Sequence, residues 1–232
     1  MSNVDRFKDI PWFKQTKGKN IIIGGAGGIG SWMALLLARQ QFDILLVDYD
    51  TVEAHNMGGQ FFKNSDINIK KVQAVETSVY DYARHTINTY DGRYDETFAP
   101  VEDFMIAGFD NMEARKFMFE QWCNHVTSNN IQDAMFIDGR MMAEGYIAYF
   151  IQNTPEMIEA YKATLFNSSD IEDEVCTMKA TTFSATMLCS RINSILCNYL
   201  YNIQVEQDIR EIPFMVREDL ANTKRVVQYA NS

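Results

Sequence analysis

The segment NIIIGGAGGIGSWMALLLARQQFDILLVD, residues 20–48, decides the fold. It opens on a short apolar run, NIIIGG (20–25), of the kind that forms a strand buried on both faces. A glycine turn follows, and GIGSWMALLLARQ (28–40) reads as a helix that begins at that turn. DILLVD (43–48) is a second apolar run, ending in an acid. Strand, helix and strand alternate here, and the pattern continues outward.

Downstream, residues 65–88 read as a helix with Asp66 as a favourable early charge. DETFAP (95–100) reads as a third strand and DFMIAGFD (103–110) as a fourth. Residues 111–126 are expected to be helical, 134–140 and 144–151 to be strands. An acidic loop is expected over 154–175, then a helix from about 180 to 204 and a tail (209–232) with a strand or two. Upstream, residues 1–18 read as an arm or short helix. The expected class is therefore α/β: a Rossmann-like, mostly parallel sheet with helices on both faces and right-handed crossovers. With no repeat or low-complexity linker, one domain over 1–232 is the simplest account.

The chain has 232 residues, 47% of them hydrophobic, enough for a substantial core. Its 21 Lys and Arg against 31 Asp and Glu give a net charge of −10, which disfavours nucleic acid and anionic membranes as partners. No apolar run reaches bilayer-spanning length and the first residues lack a hydrophobic signal core, so the expected location is the cytoplasm. The four cysteines (Cys123, Cys176, Cys189 and Cys197) include no CxxC pair, so no zinc site is expected.

Gly25, Gly27, Gly28 and Gly30 fit G-x-G-x-x-G between a strand and a helix. Such glycines let the backbone approach a phosphate, and the helix start attracts its charge. Asp48 lies 18 residues beyond Gly30, where an acid takes ribose hydroxyls. A nicotinamide-dependent oxidoreductase would be satisfied by these residues. It has no need of Asp50, Asn56 or Gln60.

The ordered set formed by the glycine loop, VDYDTVEAHN with Gln60 (47–60), the lysine after DINIK, and FDNMEAR (109–115) resembles the ThiF/MoeB/ubiquitin-activating enzyme superfamily. The likeness runs from about residue 20 to about residue 200. It implies ATP phosphates at Gly25, Gly27, Gly28 and Gly30, ribose at Asp48, and a loop shaped by Asp50 and Asn56. It implies a phosphate contact from Lys71, magnesium on Asp110 and a structural Arg115. It further implies a homodimer and a small protein partner whose C-terminal carboxylate is activated. Each residue has a plainer reading: strand-end acids often cap the next helix, and Lys71 could be a solvated lysine. The three histidines are expected to be surface or hydrogen-bonded side chains, and the 13 methionines core filler.

One position departs from the family pattern Asn-x-x-Arg-Gln: Gly59 stands where an arginine would help bind the triphosphate. Lys63, Arg140 or a partner's Arg6 could substitute; otherwise the chain is a nucleotide-binding scaffold or regulatory partner. Catalysis is the favoured reading, because the glycine loop, Asp48, Lys71 and Asp110 are all present. Cys176, ahead of an expected helix, resembles the cysteine of activating enzymes that carry it inside the adenylation domain. There it would accept an acyl group as a thioester; the alternative is a quiet thiol, since neighbouring Glu172, Asp173 and Glu174 oppose thiolate formation. Cys189 and Cys197 are expected in the core.

Overall fold

The computed structural model describes residues 8–166 and 181–230. In chain order its elements are α1 (Phe13–Thr16), β1 (Asn20–Gly24), α2 (Gly30–Arg39), β2 (Asp43–Asp48), α3 (Lys71–Ala83), β3 (Asn88–Asp91), β4 (Phe104–Ala107) and α4 (Met112–Ser128). There follow β5 (Met135–Met142), β6 (Gly145–Gln152), α5 (Pro155–Lys162), α6 (Thr182–Asn202), β7 (Met215–Asp219) and β8 (Lys224–Gln228). One sheet holds these strands in the order β3-β2-β1-β4-β5-β6-β7-β8.

The first five positions of that order pair in parallel. The rest pair antiparallel. Chain connectivity dictates the change. Only Ala143 and Glu144 separate β5 from β6, and so short a link closes a hairpin and cannot make a crossover. Alternate strand residues face opposite ways. Ile21, Ile23, Leu46, Ile106 and Ile137 cluster with Met33 and Leu37 of α2, Val75 of α3 and Leu188 and Ile192 of α6. Ile22, Val47, Met105 and Phe136 cluster with Met118 and Trp122 of α4 and with Ile158 and Tyr161 of α5. Both faces of the parallel half are covered, which is why its strands read as apolar runs.

The structure corrects three expectations. The helix placed over 65–88 begins only at Lys71, because residues 64–66 form a separate 3₁₀ turn. Asp66 is buried in that turn, where its Oδ2 accepts the Lys63 N–H at 2.8 Å. The third strand is Asn88–Asp91, parallel to β2, whereas Asp95 and Phe98 within 95–100 form an isolated bridge. The front of the acidic loop is helical: Thr154 caps α5, its Oγ1 accepting the Met157 N–H at 3.3 Å, and Pro155 occupies the first turn. Arg6, Cys176 and the rest of the acidic stretch from residue 167 lie outside the described residues. Among the described residues no helix is long and apolar enough to cross a membrane.

The chain leaves β1 toward β2 and β3 on one side, then returns to place β4 on the other. Such a reversal opens a crevice at the carboxyl ends of the central strands. The glycine loop lies there.

Candidate functional site

Four loops meet at this crevice. The first follows β1. Gly25 has φ +90°, and a Cβ there would stand 2.9 Å from the Gly108 oxygen. At Gly30 a Cβ would lie 1.8 Å from the Gly25 oxygen, so the helix can start this close to the strand only without a side chain. A Cβ on Gly27 would meet nothing within 4 Å, so the loop is open on that side. The first turn of α2 carries no acid to offset the partial positive charge of the helix start.

The second loop follows β2. Asp48 accepts the Ala26 N–H on Oδ2 at 2.6 Å and the Asp50 N–H on Oδ1 at 2.7 Å. Burial holds its carboxyl above the ordinary aspartate range, against the opposing pull of those two donors. Each carboxylate oxygen has a second lone-pair direction, so the expected ribose contact fits beside the backbone bonds. Lys71, the first residue of α3, is buried, and its Nζ lies 2.7 Å from Asp50 Oδ2. It is therefore paired, and the solvated alternative is excluded.

Residues 54–60 form the third loop. Asn56 is buried and its Oδ1 accepts the Glu53 N–H at 2.8 Å, so it shapes the loop as expected. Trp32 Nε1 donates to the Gly59 oxygen at 3.1 Å, and Thr182 Oγ1 at the start of α6 donates to the Gly58 oxygen at 2.5 Å. Gln60 Oε1 is buried with no hydrogen-bond partner among the described residues, an acceptor that suits a hydroxyl, amine or water. Lys63 pairs with Asp81 at 3.6 Å. Arg140 donates from Nε to Asp138 at 2.7 Å and from Nη1 to the Thr164 oxygen at 3.1 Å, and stacks on Tyr149. Of the three cations considered as substitutes for an arginine at 59, Lys63 and Arg140 thus have other partners, and Arg6 lies outside the described residues.

The fourth loop follows β4. The Gly108 N–H donates to the Gly24 oxygen at 2.8 Å, which ties this loop to the first. Asp110 is exposed, and no cation pairs with it among the described residues; its Oδ1 accepts only the Asn111 amide at 3.3 Å. Asn111 caps α4 through the Ala114 N–H. Arg115 is buried; it donates to the Phe109 oxygen, to Asp138 and, at 2.8 Å, to the Gly139 oxygen. Asp138 is fully buried and also accepts Tyr161 Oη at 3.0 Å.

Asp138 was missed from the sequence, although its signal was present: an acid inside the apolar run AMFIDGR, with an arginine two residues on, hence on the same face of the strand. Of the site residues expected from the sequence, Asp48, Asp50 and Lys71 are joined to the glycine loop by a run of hydrogen bonds, Asn56 and Gln60 stand in the loop whose Gly59 oxygen faces Gly28, and Asp110 lies in the loop tied to Gly24; Cys176 lies outside the described residues. The residues fit a nucleotide. Gly27 leaves space for phosphate, the α2 start and Lys71 supply positive charge, and Asp110 offers a hard oxygen of the kind magnesium shares with phosphate oxygens and water. The histidines are hydrogen-bonded or at the surface as expected: His85 bonds to the Phe42 oxygen and His125 to Asp103, and exposed His55 lies 3.2 Å from Glu53.

Fold and crevice together define a Rossmann-like α/β protein with its glycine loop at the strand-order reversal. The chain belongs to the ThiF family, whose model matches residues 9–226. It is 31% identical over 134 residues to ubiquitin-like modifier-activating enzyme 5 of Drosophila persimilis, covering 50% of this chain and 35% of that protein. To the Gallus gallus enzyme of the same name it is 31% identical over 122 residues, covering 44% and 30%. The aligned part is thus about a third of the length of these curated relatives. Among solved structures, PaaA superposes with a TM-score of 0.71 at 14% identity, covering 98% of this chain and 69% of that one. E. coli MccB with ATP superposes at 0.67 and 11%, covering 95% and 66%. At such identities the likeness is one of fold.

Proposed function

We propose that this chain is an adenylating enzyme that activates the C-terminal carboxylate of a small ubiquitin-like partner protein with ATP. A carboxylate oxygen bonds to the α-phosphorus as the bond to pyrophosphate breaks, leaving an acyl-adenylate. The observation that carries the reading is the glycine loop, fixed from behind by Asp48 and open at Gly27, with Lys71 alongside. Membership of the ThiF family and the likeness to ubiquitin-like modifier-activating enzymes support it.

In this reading the α2 start and Lys71 hold the phosphates, and Asp48 orients the ribose. Magnesium, when bound, offsets phosphate charge beside Asp110. The chain's work is positioning and electrostatics. Cys176 then takes the acyl carbon: a carbon–sulfur bond forms, AMP leaves, and the thiol proton passes to solvent.

ATP–pyrophosphate exchange in the presence of candidate partner proteins tests this. Exchange should be partner-dependent and should fall at least about 100-fold in Asp110→Ala. Uptake of a pyridine nucleotide without ATP binding would overturn it. A second reading, a nucleotide-binding scaffold without catalysis, draws on Gly59 and on the prior engagement of Lys63 and Arg140. Tight ATP binding with no exchange across many partners would select it.

A further inference from the structure

The second acid of VDYD, Asp50, has no task in a simple dinucleotide site, and the geometry assigns it one. We infer that Asp50 is the positioning residue for Lys71: it fixes the lysine ammonium at the crevice before nucleotide arrives. The inference rests on the ATP reading and concerns the same site.

Lys71 begins α3, where the partial positive charge of a helix start disfavours a cation. Its side chain is only 9% exposed, so a charge there needs a partner. Asp50 is that partner at 2.7 Å, and its own side chain is 43% exposed, at the water-facing side of the pair. The two residues are also joined through backbone, since the Lys71 N–H donates to the Asp50 oxygen at 3.0 Å. Asp50 is in turn held by its N–H on Asp48, and Asp48 by the Ala26 N–H of the glycine loop. A continuous run of bonds therefore leads from the phosphate-facing loop to the ammonium. A lysine stem has four rotatable carbons, and without such a hold its charge would sample many places. Neighbouring Lys70 shows the contrast in use: it is half-exposed and reaches Asp91 and the Tyr49 oxygen, away from this run.

The test is a double-mutant cycle on ATP affinity, read by calorimetry with magnesium present, using the full chain and the variants Asp50→Asn, Lys71→Ala and both together. Asp50→Asn keeps the shape of the side chain, and a thermal melt of each variant reports folding separately. If Asp50 acts through Lys71, Asp50→Asn weakens ATP binding about tenfold, and the double variant binds within about twofold of Lys71→Ala alone. Asp50→Glu, which keeps the charge, should recover part of the loss. Wild-type affinity in Asp50→Asn, or penalties that multiply in the double variant, would overturn the inference while leaving the ATP reading intact. Absence of ATP binding by the unaltered chain would sink both.

Discussion

At the scale of single residues, Asp138 and the glycines make the sharpest statements. Asp138 is fully buried between Arg115 and Arg140, with Tyr161 as a further donor. Removing one member of a buried ion network strands the others, which costs about 3–5 kcal/mol. Asp138→Ala should therefore lower the melting temperature by roughly 6–20 °C, at about 2–4 °C per kcal/mol for a chain of this size. A shift under about 2 °C in calorimetry would mean that the two arginines find water or other partners. The glycines separate fold from ligand in the same way. At Gly30 an added Cβ meets backbone 1.8 Å away, so Gly30→Ala should cost about 3 kcal/mol or more. At Gly27 the added methyl points into open space, so Gly27→Ala should melt as the unaltered chain does and lose ATP affinity alone. Equal melting temperatures for the two variants would contradict the loop geometry.

At the scale of elements, what the sequence reveals depends on where each element's information lies. The β1–α2–β2 unit is legible because its apolar runs and glycine turn are contiguous and its strands are buried on both faces. β3 is not, because NTYD at the sheet edge is only partly buried and carries no apolar run. The early start placed on α3 came from reading Asp66 as a helix-start acid. Asn68 has φ +72°, which no continuous helix accommodates, and a single sequence does not display that turn. α5 was hidden by the acids around it, yet Met157, Ile158 and Tyr161 are its buried side. The site followed the same rule: local spacing pointed to Asp48 and the family resemblance to Lys71 and Arg115, whereas the pairing of Arg115 with Asp138 joins residues 23 apart on different elements. α6 was legible, including the burial of Cys189 and Cys197. Burial pushes the Cys197 thiol up to about 12 despite its bond to Gln40, and pushes Cys189 up as well. The sign follows from proton counting. Above an ordinary thiol value of 9.0 the unfolded chain sheds a proton that the folded chain keeps. Stability is therefore fully present below about pH 9 and is lost as pH rises toward 12, by up to about 1.4 kcal/mol per pH unit for each thiol. Urea unfolding of the unaltered chain and Cys197→Ala between pH 8 and 10.5 checks this: the variant should show the shallower alkaline decline. Parallel declines would remove the thiol from the account.

At the scale of the whole molecule, the sheet is two halves with different tasks. The parallel half is packed on both faces and ends in the crevice; the antiparallel half extends it outward from β5 as two hairpins, β5–β6 and β7–β8, with α5 and α6 between them in the chain. Burial falls from the central strands outward to β8. Ile21, Ile22 and Ile23 of β1, every residue of β4 and the first five of β5 are buried, whereas all five residues of β8 are exposed. β8 is held by its ladder to β7 along one edge, with Val226 55% and Val227 39% exposed. A strand so placed has little apolar burial to oppose local opening, and a hairpin alone is marginally stable in water. Backbone hydrogen exchange should therefore run as a gradient across the sheet. Amides of β8 should exchange first, those of β7 and β6 later, and those of β1 and β4 only near the global unfolding limit. The central strands flank the glycine loop, so added ATP with magnesium should slow exchange at residues 25–30 and 108–110 while leaving β8 unchanged. Protection of β8 equal to that of β1 in the isolated chain would show that this edge is covered by a further contact, and would place the stable core of the molecule across the whole sheet.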